Sequence, residues 1–201
     1  MSRIVLASSN RGKLVEFGEL FAGSGLEVIA QASLGVEDAE ETGLTFIENA
    51  LLKARHAARS TGLPALADDS GLCVEHLHHA PGLYSARYSG GHGDDAANNA
   101  KLLRELDGVP TAQRGAFFIC VLALLQHAED PAPLIAEARW HGRILETPRG
   151  SQGFGYNPIF LPEGYEVSVA EMDTALKNRL SHRGQALAQL RLRLAELHAT
   201  A

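Results

Sequence analysis

The sequence predicts an α/β protein, on three observations. The apolar run Ile4 to Ala7 passes through a small polar loop, Ser8-Ser9-Asn10-Arg11-Gly12-Lys13, into the helically spaced Leu14, Phe17, Leu20 and Phe21. Thr45 and Glu48 form a capping box that opens a helix reaching Ser60, where Gly62-Leu63-Pro64 stops it. A second apolar run, Leu63 to Ala67, then feeds into the adjacent carboxylates Asp68 and Asp69, followed by Ser70 and Gly71. Strand-like and helix-like segments alternating in this way point to a sheet covered by helices.

The first strand, loop and helix together suggest phosphate binding. Backbone N–H groups at a helix start favour an anion, and Lys13 adds a cation. This is no Walker A loop, because Gly12-Lys13 is followed by Leu14 rather than Ser or Thr. The alternative is a capped helix start with a surface lysine. Gly23 to Gly25 ends the helix, and Leu26 to Ala30 reads as the second strand. A connection rich in acid follows, with Glu37, Asp38, Glu40 and Glu41. These acids either form a solvated loop or place a second carboxylate opposite Asp69.

The Asp-Asp pair is expected to close its strand at the sheet edge, where α/β proteins put ligands. Side chains alternate along a strand, so the two acids should point different ways. Neighbouring carboxylates suit Mg²⁺, which takes one or two acids plus substrate phosphates. The competing reading is an Asx-type turn. Cys73 to Leu77 reads as a further strand, with His76, His78 and His79 as exposed loop residues. Gly90 to Gly93 reads as a mobile loop and Asp94 to Leu106 as a capped helix. Gln113 to His127 carries the strongest strand signal, and Pro133 to Ile144 the next. They read as a long antiparallel pair, either a second lobe or a dimer surface.

Gly153-Phe154-Gly155-Tyr156-Asn157-Pro158 spaces aromatic rings between glycines, an arrangement suited to stacking on a base or to packing at a loop. Asp173 to Leu180 reads as a short helix bearing Lys177. Ser181 can cap a last helix that carries Leu187, Leu190, Leu194 and Leu197 on one face. His182 and Arg183 then sit in its first turn, where cations are unfavourable unless an acceptor meets them.

Composition narrows the partners. The 201 residues are 45% hydrophobic and 21% charged, ordinary for a soluble globular chain of one domain, with or without two lobes. A net charge of −6 argues against a general nucleic-acid binder but not against one nucleotide in a locally basic site. The two cysteines, Cys73 and Cys120, lie in apolar segments and read as buried thiols, with no disulfide framework or zinc spacing. The longest apolar run, Ala116 to Leu125, is too short for a bilayer, and the N-terminal run is too short for a signal peptide. No membrane partner and a cytoplasmic location are the expectations. Taken jointly, the phosphate loop, the acids, the aromatic platform and the Lys/His/Arg set read as a nucleotide–Mg²⁺ site.

At these residues the chain resembles the inosine triphosphate pyrophosphatase family. The matching segments are Ser9 to Lys13, Glu40 to Ala50, Ala67 to Leu72, Pro81 to Tyr88, Phe154 to Pro158 and Ser181 to Arg183, in family order across nearly the whole chain. The resemblance implies an elongated mixed sheet with helices, two lobes in one domain over residues 1–201, a cleft between them, and a homodimer. It implies that water attacks the α-phosphorus of dITP, ITP or XTP, with Mg²⁺ required, releasing a monophosphate and pyrophosphate. By resemblance, Ser8, Ser9, Asn10, Arg11, Gly12 and Lys13 grip the triphosphate, and Lys53 approaches it. Asp69 matches the proton acceptor and a metal ligand, with Glu40, or its neighbour Glu41, as the second ligand. Ser70 and Lys177 match substrate contacts. Phe154, Gly155, Tyr156 and Asn157 flank the base, and His182 and Arg183 read it. The family usually has Asp at the position of Asn157, so the balance of base preference is open. The rivals are a nucleotide-binding sensor without turnover and a pyrophosphatase for modified pyrimidine triphosphates.

Overall fold

The computed structural model describes residues 2–21, 26–91 and 93–199, apart from the side chains of Ser2, Arg11, Glu19, Leu20, Leu26 and residues 196–199. The expectations for Gly23 to Gly25, His92, and the side chains of Arg11, Leu20 and Leu197 therefore lie outside the described residues.

The described chain is a mixed α/β fold. Its strands are β1 (Ser2–Leu6), β2 (Leu26–Ala30), β3 (Ala65–Val74), β4 (Gly115–Leu125), β5 (Leu134–Ile144) and β6 (Phe160–Pro162). They form one sheet in the order β2-β1-β3-β4-β5-β6. β1 runs parallel to β2, with Ser2 opposite Leu26, and parallel to β3, with Val5 opposite Ala65. β6 runs antiparallel to β5, with Arg143 opposite Leu161. The helices are α1 (Arg11–Phe21), α2 (Phe46–Thr61), α3 (Asp95–Glu105), α4 (Thr174–Leu180) and α5 (His182–Ala199). None of the described helices is long and apolar enough to cross a membrane.

Local signals account for most helix ends. Thr45 accepts the Glu48 N–H as an N-cap, and Gly62 closes α2 in the left-handed region at φ 68°. The Glu48 carboxylate reaches back to the Leu44 N–H and the Thr45 hydroxyl. Asp94 and Asp173 cap α3 and α4 in the same way. Ser181, expected to cap α5, stands immediately before it and also closes α4, its N–H donating to the Lys177 carbonyl.

The expectation of a further strand over Cys73 to Leu77 fails, and so does that of a strand end at the Asp-Asp pair. The Asp-Asp pair does not close its strand: β3 continues through Asp68, Asp69, Ser70 and Gly71 to Val74, and Glu75–Leu77 turns as a short 3-10 helix. Nearly every residue of β3 is buried. A strand buried on both faces carries its polar residues through the sheet when each one meets a partner of opposite charge or a hydrogen bond.

The chain divides into two compact units, residues 1–69, 120–138 and 183–201 in the first and 70–119 and 139–182 in the second. Every boundary falls inside β3, β4, β5 or the first turn of α5. Asp69 and Ser70, and likewise His182 and Arg183, are chain neighbours that belong to different units. The core of the first unit joins Ile4, Leu6, Phe17, Leu66, Leu122 and Leu187. That of the second joins Leu72, Leu102, Phe118, Trp140, Ile159 and Phe160. Each such side chain, fully buried, contributes about 1.5–3 kcal/mol. Cys73 and Cys120 are buried free thiols, and burial pushes them up to about 11 and about 12.

Candidate active site

The polar loop after β1 is a capped helix start. Asn10 Oδ1 accepts the Lys13 N–H at 3.0 Å and so caps α1, whose first turn carries no acid. Asn10 N–H donates to the Ser8 hydroxyl at 3.3 Å, and the Ser9 hydroxyl donates to Asp38. Asp38 also accepts from Gln31 Nε2 at 2.5 Å, which ties the acidic connection to the loop. The helix start is therefore capped, as the alternative reading has it, but Lys13 is not the surface lysine of that reading. Its ammonium meets Asp68 Oδ2 at 2.9 Å.

The alternation along β3 sends the two acids to different partners. Asp68, 1% exposed, faces Lys13 and lies 3.7 Å from Arg183 Nε. Burial alone would raise its pKa, but Lys13, Arg183 and Lys53 outweigh burial and hold the carboxyl well below the usual range. Asp69, 7% exposed, accepts from Lys53 Nζ at 3.0 Å and from Asn49 Nδ2 at 3.3 Å. Here burial wins over the attraction of Lys53 and Lys13, and the pKa is raised. Two adjacent carboxylates are thus driven apart: one is firmly ionised, and the other is more basic than an ordinary aspartate. That separation is a mark of acid–base sites.

Lys53 joins the acidic connection to β3. Its ammonium donates to Glu41 Oε1 at 2.7 Å as well as to Asp69. Burial would lower its pKa, but Asp69, Asp68 and Glu41 reverse this and raise it. Gly43 lets the connection lie against α2. A side chain there would come within 2.6 Å of Glu48 Cβ and 2.7 Å of Asn49 Oδ1, and its N–H donates to that same Asn49 oxygen at 2.8 Å. Of the two neighbouring acids, Glu41 shares a cation with Asp69, whereas Glu40 is exposed. Two carboxylates already meeting on one ammonium are the donor set that a hard divalent cation takes, so Asp69 and Glu41 fit Mg²⁺ by chemistry. Among the described residues no group of three or more such ligands converges.

Sequence reasoning missed Glu16. This carboxylate is buried on α1 and pairs with the equally buried Arg183, whose guanidinium donates to it and lies 5.9 Å from the Phe17 ring centroid. The available signal was its spacing: Glu16 stands three residues after Lys13 and so shares its side of the helix. His182 and Arg183 were expected to act together. His182 stacks on Phe118, with ring centroids 4.9 Å apart and planes at 10°, inside the second unit.

The second unit gathers the aromatic loop. Lys177 Nζ lies 5.4 Å from the Phe154 ring centroid. The Tyr156 hydroxyl donates to the Ser85 carbonyl at 2.9 Å. Asn157 is buried and packs on Gly153 so closely that a Cβ there would stand 2.2 Å from Asn157 Nδ2. Gly153 also has φ of +80°, so both space and backbone demand glycine. Ser70 is half-buried on β3.

The Ham1 family model matches residues 4–192. The chain belongs to the Ham1 family. It is 60% identical over 194 residues to the dITP/XTP pyrophosphatase of Xanthomonas oryzae pv. oryzae, covering 96% of this chain and 98% of that one. It is 59% identical over 191 residues to the dITP/XTP pyrophosphatase of Xylella fastidiosa, covering 95% and 96%. Among solved structures, a HAM1 protein from Coxiella burnetii superposes with a TM-score of 0.90 at 50% identity, over 98% of this chain and all of that one.

Proposed function

We propose that this Ham1-family chain hydrolyses the triphosphates of non-standard purines, dITP, ITP and XTP, to the monophosphate and pyrophosphate. The observation that carries the proposal is the pair of neighbouring buried acids on β3, Asp68 pairing with the lysine of the capped loop and Asp69 lifted in pKa beside Lys53. The names of relatives about 60% identical over nearly the full chain support the substrate class.

Ser8 to Lys13 hold the triphosphate, with the α1 start and Lys13 offsetting its charge. Lys53 adds a second cation. Asp69 takes a proton from the attacking water. The water oxygen bonds to the α-phosphorus while the bond to the bridging oxygen of the β-phosphate breaks, and pyrophosphate leaves with that electron pair. Mg²⁺, held by Asp69 and an acid of the Glu40-Glu41 pair, would neutralise charge on the phosphate oxygens. Phosphoryl transfer needs such positioning and neutralisation more than a covalent nucleophile. Ser70 and Lys177 contact substrate, Phe154 to Asn157 stack on and border the base, and His182 and Arg183 read it. The C6 oxygen of hypoxanthine and xanthine accepts from those donors, whereas adenine presents an amine. The same reading takes residues 1–201 as one functional domain, acting as a cytoplasmic homodimer on free nucleotides. The net charge of −6 is in keeping with no nucleic-acid partner.

The test is a pyrophosphate-release panel of ITP, dITP, XTP, ATP, GTP and modified pyrimidine triphosphates, with Mg²⁺ and with a chelator. Release from the first three, lost on chelation, is expected. Tight binding without release makes the chain a sensor, and preference for pyrimidines overturns the substrate class.

Two variants belong in the same panel. Asn157→Asp replaces a donor and an acceptor by two acceptors, which match the N1–H and 2-amino groups of guanine. It is expected to shift the ITP-to-GTP ratio towards GTP while turnover continues, and an unchanged ratio removes Asn157 from base choice. Lys13→Ala is expected to weaken ITP at least tenfold while inosine, measured as a competitive inhibitor, changes less than twofold. Equal losses for both contradict the phosphate-loop assignment.

A further inference from the structure

The aromatic loop is held from outside itself. Gly155 stands between Phe154 and Tyr156 with φ of +63°, in the left-handed region, and a Cβ there would meet nothing within 4 Å. Its glycine is therefore required by conformation rather than by space. Both backbone polar groups of this residue are taken by α3. The N–H donates to Asp95 Oδ2 at 2.6 Å, and the carbonyl accepts from Asn99 Nδ2 at 3.0 Å. Asp95 and Asn99 are four residues apart and so share one side of α3. Asp95 opens the helix just after its cap Asp94, where a negative charge is favoured by the helix dipole. Both side chains are half-buried, which strengthens such bonds relative to exposed ones.

We propose that Asp95 and Asn99 are positioning residues that clamp Gly155 and thereby fix Phe154 and Asn157 for the nucleobase. The proposal rests on the reading of residues 154–157 as the base site. A left-handed glycine between two aromatic residues has many alternative conformations. Two hydrogen bonds on its own N–H and C=O select one of them, so the ring of Phe154 and the amide of Asn157 keep a single relation. Neither Asp95 nor Asn99 needs to touch substrate. Their effect is preorganisation, and its loss falls on binding of the base rather than on the phosphate chemistry.

The experiment uses the full chain, with ITP as substrate and inorganic pyrophosphate as the competing ligand that lacks a base. Asp95→Ala and Asn99→Asp each remove one bond, the second without change of size. Each is expected to raise KM for ITP about tenfold, the scale of a charge-assisted or doubly supported hydrogen bond. The expected kcat stays within about twofold and the Ki for pyrophosphate is unchanged. Asp95→Asn keeps an acceptor for the Gly155 N–H and is expected to restore the KM. Parallel rises in KM and in the pyrophosphate Ki, or a fall in kcat at constant KM, would overturn the clamp, since either marks a general structural role. Phe154→Ala is run beside them. A raised KM in Phe154→Ala with no change in Asn99→Asp overturns the clamp alone, whereas an unmoved KM in Phe154→Ala overturns the base-site reading beneath it.

Discussion

Asp69→Asn is expected to abolish pyrophosphate release while the protein remains folded. The carboxylate sits on a buried stretch of β3, where Lys53 and Asn49 donate to it. Asparagine has the same shape and keeps one oxygen that can accept from Lys53. Lys53 also retains Glu41 at 2.7 Å, so its charge is not stranded. The fold therefore loses little. The chemistry loses two things at once: the proton acceptor, worth about 10²–10⁴-fold by itself, and an anionic oxygen for the metal. The raised pKa of Asp69 sharpens this, because burial makes its carboxylate a better base than an exposed aspartate. Coupled release assays and thermal melts on the same preparation decide the matter. A folded Asp69→Asn protein that keeps most of its activity removes Asp69 from the role of base.

How much of this was legible in the sequence depends on how local the cause was. The Thr45–Glu48 cap of α2, the Asp94 cap of α3 and the strand β2 were read closely, because caps and short apolar runs act within a few residues. The course of β3 was misread for the opposite reason. An Asp-Asp-Ser-Gly stretch looks like a turn by composition, and only its distant partners Lys13, Arg183, Lys53 and Asn49 let it continue as a buried strand. The opposite facing of Asp68 and Asp69 needed only the two-residue period of a strand, and that inference survives the longer β3. The partner of Glu16 and the Asp95–Asn99 clamp were invisible for the same distal reason. Glu16 meets a residue 167 positions away, and Asp95 meets one 60 positions away. No periodicity records such pairs. The placement of cations in the first turn of α5 did carry a usable signal, since His182 and Arg183 needed compensation there, and Arg183 finds it in two acids.

That compensation makes Arg183→Ala the substitution with the largest expected effect on stability. The guanidinium is 3% exposed and stands between Glu16 and Asp68, both buried. Burial would lower its pKa, but Glu16 and Asp68 outweigh this and raise it, so the arginine is charged at any working pH. Its removal takes a buried cation from Glu16 and leaves Asp68 relying more heavily on Lys13. Breaking a buried pair from one side costs about 3–5 kcal/mol. For a chain of this size, roughly 2–4 °C in Tm per kcal/mol makes this a fall of about 6–20 °C. Arg183→Lys restores the charge but not the planar fork that spans two acids, so an intermediate Tm is expected. The kinetic consequence separates two roles. Glu16 engages Nη1 of a group with five donors, so anchoring on Glu16 is compatible with donation to a base oxygen. On the proposed reading, assays well below the melting range find kcat/KM for ITP and XTP steeply reduced in Arg183→Ala and that for ATP hardly changed. The loss is bounded by the roughly 10⁴–10⁵-fold that a hydrogen-bonding site can impose against a wrong edge. An equal slowing of ITP, XTP and ATP, together with the lowered Tm, makes Arg183 a structural tie between α1, β3 and α5 and leaves base selection to Phe154, Asn157 and the helix that holds Gly155.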